Sequence, residues 1–165
     1  MGLTIHRHRE FTLPARFQMA GIPTRRPLEI LLIEDNPGDV RLLEEAFEEL
    51  HANVKIRVAK DGSEGIDILT KPQNSQISWR PDLILLDLNL PKVSGHDVLA
   101  QIKSDPHTRW IPVIVLTSSR AESDIRRAYE SHANAYLRKP STLEGLIATA
   151  QDVKNFWMET ATLPG

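Results

Sequence analysis

Short apolar runs alternate with amphipathic segments along most of this chain, which predicts strands alternating with helices. Five apolar runs predict strands, at Glu29–Ile33, Val54–Ala59, Leu83–Leu86, Ile111–Leu116 and Ala135–Leu137. The run at Leu83–Leu86 contains no polar residue, which is typical of a strand buried on both faces of a parallel sheet.

The segments between these runs carry apolar residues at helical spacing. Helices are predicted to begin near Pro37, Glu64, Gly95, Ala121 and Leu143. Asn36, Ser94 and either Ser141 or Thr142 are suited to cap three of them, and Asp61-Gly62 is predicted to form a turn. The alternation implies right-handed crossovers and helices on both faces of the sheet. We therefore predict an α/β fold, the flavodoxin-like (βα)5 doubly wound parallel sheet with strand order 2-1-3-4-5.

The chain length of 165 residues suits one domain with extensions. Residues 1–26 contain five arginines and one acidic residue, with scattered apolar positions, and are predicted to be a flexible basic N-terminal extension. Residues 27–158 are predicted to form the folded domain, and residues 159–165 a C-terminal tail.

Composition excludes several classes of function. The net charge of -2 gives no reason to expect bulk attraction to nucleic acid or to a membrane surface. The chain has no cysteine, so disulfides and thiolate catalysis are excluded. Its apolar runs are too short to span a membrane, and its N-terminus lacks a secretion signal. We therefore expect a cytoplasmic protein.

Polar residues follow the predicted strands at positions that a parallel sheet brings to one edge. Glu34 and Asp35 follow the first strand, Asp87 the third, Thr117 the fourth and Lys139 the fifth. In the order 2-1-3-4-5 the first and third strands are neighbours and flank the crevice where such sheets bind ligands. One aspartate at a strand end would usually only end the strand, but the convergence of these five residues predicts a functional site.

The chemistry of this set points to phosphoryl transfer. Three carboxylates so close together repel each other unless a cation neutralises them. Mg²⁺ prefers such hard oxygen ligands together with a phosphate. Lys139 supplies a second positive charge and Thr117 a hydroxyl donor. We therefore predict that Asp87 is a carboxylate nucleophile that receives a phosphoryl group beside Mg²⁺.

The motifs ED, DLNLP, TSS and YLRKP after the first, third, fourth and fifth strands resemble the receiver domain of two-component response regulators. The resemblance covers roughly residues 28 to 157, which is nearly the whole predicted domain. It implies that Asp87 is the phosphoacceptor, Lys139 the phosphate-pairing cation, Thr117 the switch hydroxyl and Tyr136 the switch aromatic residue. It also implies a Mg²⁺ site built from Glu34, Asp35, Asp87 and the backbone carbonyl of Asn89.

A narrower resemblance concerns the partners. With no output domain after the receiver motifs, the chain resembles the stand-alone, chemotaxis-regulator type. The long loop before Trp79 and the ending FWMETATLPG resemble the small regulators that partner bacterial and cyanobacterial phytochromes. This implies a sensor histidine kinase, in particular a phytochrome, as phosphodonor, and an unknown downstream protein as receiver of the signal. Direct DNA binding and membrane binding are not expected, and neither is enzymatic activity beyond phosphotransfer and slow self-dephosphorylation.

Three other functions fit the residues less well. A haloacid-dehalogenase-type phosphohydrolase needs an acid two residues after the nucleophile, where this chain has Asn89. A pure binding module would leave three buried carboxylates without a use. A nucleotide-binding flavodoxin-like protein would need a glycine-rich loop after the first strand.

The last helix predicts a protein contact. Phe156 and Trp157 are adjacent, and adjacent helical residues point about 100° apart, so one of them must lie outside a narrow core stripe. Together with Tyr129 and Tyr136 they predict the interface of an isologous homodimer. The alternative is that the tail after Trp157 folds back over the extra aromatic ring and leaves a monomer.

Overall fold

The structure is a computed structural model that describes residues 26–71 and 79–164. Its strands are β1 (Leu28–Ile33), β2 (Val54–Ala59), β3 (Leu83–Leu86), β4 (Val113–Thr117) and β5 (Ala135–Arg138). They form one parallel sheet in the order β2-β1-β3-β4-β5. The predicted flavodoxin-like topology is therefore confirmed. The part of the predicted basic extension at residues 1–25 lies outside the described residues.

The helices are α1 (Pro37–Glu49), α2 (Gly62–Thr70), α3 (Gly95–Ser104), α4 (Glu122–Glu130) and α5 (Leu143–Lys154). A π-helical segment at Asn155–Thr160 continues α5. Three predicted caps are confirmed, because the side chains of Asn36, Ser94 and Thr142 accept hydrogen bonds from backbone N–H groups of the first helical turn.

Several predicted boundaries differ from the structure by one or two residues. Asp61-Gly62 is not a separate turn: the Asp61 carboxylate accepts the Glu64 N–H at 2.9 Å, which caps α2 and makes Gly62 its first residue. Strand β4 begins at Val113 rather than Ile111, since Pro112 has no N–H to donate to the ladder. The same strand includes Thr117, which was predicted to follow it, and Thr117 pairs with Arg138 of β5.

The sheet is covered on both faces. Along β1, Leu31 and Ile33 face the cluster formed with α3 and α4, whereas Ile30 and Leu32 face the cluster formed with α1 and α5. All four are at most 2% exposed. Because both faces of the sheet are filled with apolar side chains, polar groups gather at the carboxyl ends of the strands.

Both ends of the described chain pack at the edge of the sheet where the strands begin, opposite the carboxyl edge. The Arg26 guanidinium makes two hydrogen bonds of 2.7 Å to the carboxylate of buried Asp82, so Arg26 is part of the fold. The segment after the π-helix folds back, and Leu163 packs against the cluster of α1 and α5. Trp157 packs against the same cluster while Phe156 remains 52% exposed. One of the two adjacent aromatic rings therefore lies outside the core, as predicted.

Candidate functional site at the carboxyl edge of the sheet

Asp87 lies directly after β3, and backbone groups of other residues fix its position. Its N–H donates to the Ile33 carbonyl of β1 at 3.1 Å, and its carboxylate accepts the Asn89 N–H at 3.1 Å. Helix α3 begins against it: a Cβ on Gly95 would lie 2.1 Å from the Asp87 carbonyl oxygen, so only glycine fits there. The residue is 5% exposed and its carboxylate is fixed at the end of the central strand.

Lys139 brings three carboxylates together. Its ammonium Nζ lies 2.6 Å from Asp87 Oδ2, 2.5 Å from Glu34 Oε2 and 2.9 Å from Asp39 Oδ2. The Lys139 side chain is 12% exposed, and its N–H donates to the Thr117 carbonyl at 2.8 Å. The ends of β1, β3 and β5 therefore meet at the Lys139 ammonium, as the spacing of the polar residues predicted. The start of α1 adds Asp39 to them.

Burial and this cation set the acidities of the site. Burial disfavours charged Lys139, but its hydrogen bonds to Asp87, Glu34 and Asp39 outweigh that effect and raise its pKa. Burial opposes ionisation of Asp87, yet hydrogen bonds from Lys139, the Asn89 N–H and the Thr117 hydroxyl hold its pKa below the ordinary value. For Glu34 burial prevails over Lys139, and the pKa is raised. Asp87 is therefore the carboxylate of the site that stays ionised most readily.

The carboxylates that contact Lys139 are not the same three acids as those predicted for the Mg²⁺ site, and the Mg²⁺ assignment of Asp35 stays a prediction. Glu34 is 3% exposed and lies at the centre, while Asp35 is exposed and is not among the described carboxylates that contact Lys139. Asp39, which was not predicted as a residue of the site, does make that contact. An acidic residue in the first turn of a helix is common because the helix dipole favours it. Asp39 could have been predicted from its position, because α1 begins at the same edge of the sheet as Glu34.

Thr117 and Asn89 line the site beside Asp87. Thr117 is fully buried, and its hydroxyl is one of the groups that stabilise the Asp87 carboxylate. The Asn89 amide donates to Thr117 Oγ1 and to Ser118 Oγ, each at 3.4 Å. The third and fourth strand ends are thus connected through the predicted hydroxyl.

Tyr136 lies on β5 with its ring against the core cluster of α3 and α4. Its hydroxyl donates to the Ser119 carbonyl at 3.2 Å, and burial raises its pKa. Ser119 is two residues after Thr117, and its N–H donates to Thr117 Oγ1 at 3.4 Å. The predicted switch residues are therefore linked through the segment that follows β4.

The site suits a hard divalent cation by its donors. Glu34, Asp39 and Asp87 present three carboxylates to a single ammonium, which leaves an excess of negative charge and only oxygen ligands. Among the described residues no three acidic or histidine side chains are already grouped as metal ligands, since the ammonium lies between these carboxylates. A bound Mg²⁺ must therefore compete with Lys139 for carboxylate oxygens.

The four predicted interface aromatics occupy different environments. Tyr129 and Phe156 are 51% and 52% exposed. Tyr136 and Trp157 pack against opposite faces of the sheet. The Phe156 and Trp157 rings meet edge to face with centroids 4.9 Å apart. Only Tyr129 and Phe156 of the four thus present large apolar surface to solvent.

Comparisons with known proteins agree with this geometry. A profile of the family described as "Response regulator receiver domain" matches residues 30–151. The chain is 43% identical over 138 residues to response regulator Rcp1 of Synechocystis sp., covering 84% of this chain and 94% of that protein. It is equally identical, over 139 residues, to the probable methanogenesis regulatory protein FilR2 of Methanothrix harundinacea, covering 84% and 89%.

Solved structures give the same result. The phosphorylated cyanobacterial phytochrome response regulator RcpA is similar with a TM-score of 0.78 and 42% identity, covering 84% of this chain and 99% of that one. The Mn²⁺-bound form of Rcp1 is similar with a TM-score of 0.76 and 42% identity, covering 84% and 100%. In the part of the chain that the structure describes, no helix is long and apolar enough to cross a membrane. The chain belongs to the response regulator receiver family, whose members carry phosphoryl signals in two-component phosphorelays.

Proposed function

We propose that this protein accepts a phosphoryl group on Asp87 from a sensor histidine kinase, with Mg²⁺, and signals through a protein surface that phosphorylation changes. The observation that carries the proposal is the convergence of Asp87, Glu34 and Asp39 on the ammonium of Lys139. This arrangement holds one ionised carboxylate beside a cation that pairs with incoming phosphoryl oxygens.

The reaction assigns a role to each group. An oxygen of Asp87 attacks the phosphorus of a phosphohistidine, the new P–O bond forms, and the P–N bond to the donor imidazole breaks. Lys139 pairs with the phosphoryl oxygens, and the Thr117 hydroxyl donates to one of them. We assign Mg²⁺ to Glu34, Asp35, Asp87 and the Asn89 carbonyl. When bound, the metal neutralises charge on the phosphoryl oxygens, and the Mn²⁺-bound form of Rcp1 supports such a site.

The signal is proposed to leave through Thr117 and Tyr136. When the Thr117 hydroxyl binds the phosphoryl group, it stabilises one arrangement of the segment containing Ser119, whose carbonyl accepts the Tyr136 hydroxyl. A ligand shifts a two-state element by as much as it prefers one state. Phosphorylation therefore favours the inward Tyr136 and changes the surface formed by α4, β5 and α5.

We propose a phytochrome-type histidine kinase as phosphodonor. The similarity to the phytochrome response regulator RcpA supports this assignment. The equal identity to FilR2 makes a direct comparison of donors necessary. Rates of phosphotransfer from radiolabelled histidine kinases, a phytochrome among them, decide it: the phytochrome should transfer fastest. Because such kinases use cytoplasmic ATP, we place the protein in the cytoplasm. We also propose a homodimer through the exposed aromatics Tyr129 and Phe156.

Intact-mass measurement after incubation with acetyl phosphate tests the central proposal. We expect one phosphoryl adduct that requires Mg²⁺, disappears with a chelator and is absent from Asp87→Asn. Asp97→Asn is the matched control, because Asp97 is an exposed aspartate on α3 that does not contact Lys139 in the described structure. An adduct that persists in Asp87→Asn, or that ignores the chelator, contradicts the assignment.

A further inference from the structure

His96 is a buried imidazole near the phosphorylation site that the proposed chemistry does not use. It is the second residue of α3 and is 6% exposed. Its Nε2 lies 3.2 Å from Oδ1 of Asp124, in the first turn of α4. The contact therefore connects the starts of two neighbouring helices at the carboxyl edge of the sheet.

The surroundings of the ring assign its proton. An ionised carboxylate only accepts hydrogen bonds, so Nε2 must carry the N–H that faces Asp124. The other nitrogen, Nδ1, is a buried polar atom without a hydrogen-bond partner among the described residues. A leucine would fill this site with no unpaired nitrogen, so the bond to Asp124 is what the imidazole adds here.

Asp124 also contacts Ser119, which lies in the segment that follows β4. Its second oxygen, Oδ2, accepts the Ser119 hydroxyl at 2.5 Å. The hydroxyl of Ser119, and after it His96, holds the pKa of Asp124 below its ordinary value. The carbonyl of the same Ser119 accepts the Tyr136 hydroxyl. Hydrogen bonds therefore connect His96 to Asp124 and Asp124 to the hydroxyl of Ser119, and the backbone of the same Ser119 accepts the hydroxyl of Tyr136.

At the His96 end, these contacts lie against the backbone of the proposed phosphoacceptor Asp87. Gly95, which precedes His96, donates its N–H to the Leu88 carbonyl at 3.0 Å and packs directly on the Asp87 carbonyl. The start of α3 therefore cannot move independently of the backbone of Asp87. His96 thus connects the backbone of the phosphorylation site to the segment that holds Tyr136.

A second contact between the same helices provides a comparison. Arg127 of α4 lies 3.3 Å from Asp97 of α3, but the two side chains are 58% and 63% exposed. Exposed ion pairs of this kind contribute little because water screens them and both side chains lose freedom. The contact of His96 with Asp124, whose side chains are 8% and 34% exposed, is less accessible to water and is therefore the stronger link.

We propose that His96 is a positioning residue of the phosphorylation switch, which holds Asp124 and Ser119 so that the Ser119 carbonyl is placed to accept the hydroxyl of Tyr136. The proposal rests on the phosphoacceptor role of Asp87. Coupling between two sites is reciprocal. If His96 stabilises the inward Tyr136, it also strengthens binding of a phosphoryl group, or of its analogue beryllofluoride, at Asp87.

The two tyrosines of the chain give a direct measurement. NMR of protein with ¹³C-labelled tyrosine yields separate ring signals for Tyr136 and Tyr129. In His96→Leu we expect the Tyr136 signal of the unliganded protein to move toward that of an exposed ring. We also expect beryllofluoride, in the presence of Mg²⁺, to bind about fivefold more weakly, as for loss of one net hydrogen bond. His96→Gln, which keeps an N–H at a similar reach, should restore both.

Arg127→Ala is the matched control and should change neither measurement. Asp124→Ala, a change at a partly exposed side chain, should reproduce the effect of His96→Leu and remains informative if that variant does not fold. An unchanged Tyr136 signal and affinity in folded His96→Leu, or an equal effect of Arg127→Ala, overturns the proposal. Failure of the wild-type chain to bind beryllofluoride would instead count against the proposed function, while the unliganded Tyr136 signal would still test His96.

Discussion

The ammonium of Lys139 lies 2.6 Å from the carboxylate of Asp87, although 52 residues separate them along the chain. The same ammonium contacts Glu34 and Asp39, and it is largely removed from water. The charge balance of the pocket therefore depends on one side chain. Removing that charge should change the stability of the fold and increase the stability gained on acidification from pH 7 to pH 5.

Lys139→Met should lower the free energy of unfolding at pH 7 by about 3 kcal/mol, because it leaves buried carboxylates without a counter-charge. In the wild type the depressed pKa of Asp87 contributes stability above its ordinary pKa, and this contribution is lost as pH falls through the folded-state value. Without Lys139 the pKa of Asp87 should rise above that of the unfolded chain, and the pKa of Glu34, which is already raised in the wild type, should rise further. The folded variant then binds more protons and becomes more stable as pH falls from 7 to 5.

Urea unfolding of both proteins at pH 7 and pH 5 measures this difference. The matched control is Lys55→Met, since Lys55 is an exposed lysine whose distance to Glu29 is 3.7 Å. It should change stability little at either pH. A Lys139→Met variant that gains no more stability than the wild type between pH 7 and pH 5 would contradict the electrostatic account.

The affinity of the site for Mg²⁺ should depend more on its charged side chains than on its uncharged ones. Asp35→Ala removes a formal negative charge and should weaken Mg²⁺ binding, whereas Thr117→Ala leaves the charge of the pocket unchanged. Isothermal titration calorimetry of Mg²⁺ into each protein measures the two affinities. Equal affinities in the two variants would show that Asp35 has no metal role.

The exposed Leu42 marks a candidate contact for the kinase. This residue of α1 is 38% exposed and lines a cavity of about 130 Å³ together with Asp39, Lys139 and Pro140. A phosphohistidine that reaches Asp87 must bring its own protein surface close to this cavity. Leu42→Ala should therefore slow phosphotransfer from the kinase several-fold while leaving the reaction with acetyl phosphate unchanged. Equal slowing with both donors would indicate damage to the pocket rather than loss of a docking contact.

The order of elements was predictable because the sequence carries its signals locally. The uninterrupted apolar run of β3 can be buried only in the middle of a covered sheet. The caps Asn36 and Ser94 use residue types that bond to the first helical turn. The start of α2 was missed because Asp-Gly favours a tight turn as well as a helix start, and the choice depends on packing. Here Gly62 lies so close to Val98 of α3 and to Val93 in the loop before α3 that no Cβ fits.

The site was only partly predictable for a related reason. Asp87, Glu34 and Lys139 follow apolar strands directly, so their convergence follows from topology alone. Asp39 and Asp124 lie in first turns of helices, where acidic residues are frequent for local reasons. Whether such a residue contacts Lys139 or His96 depends on how the helix is oriented on the sheet. A single sequence does not contain that information in its local pattern.

The proposed homodimer depends on the exposed aromatic rings, and the oligomeric state of the protein tests it. The tail after the π-helix borders the same cavity as Trp157, yet it leaves the Phe156 ring 52% exposed. Folding back of the tail therefore does not remove the apolar surface at this end of the chain. An exposed ring of this size favours a protein contact, because burial in an interface removes its apolar area from water.

Sedimentation velocity at tens of micromolar, with and without phosphorylation, should show a dimer of the wild-type chain. Phe156→Ala should shift it toward monomer, because an isologous interface loses the same ring from both protomers, and phosphorylation of Asp87 should survive. Leu42→Ala, which removes another exposed apolar side chain from a different helix, is the matched control and should leave the dimer intact. A wild-type chain that sediments as a monomer in both states removes the dimer hypothesis, and a dimer insensitive to Phe156→Ala places the interface elsewhere.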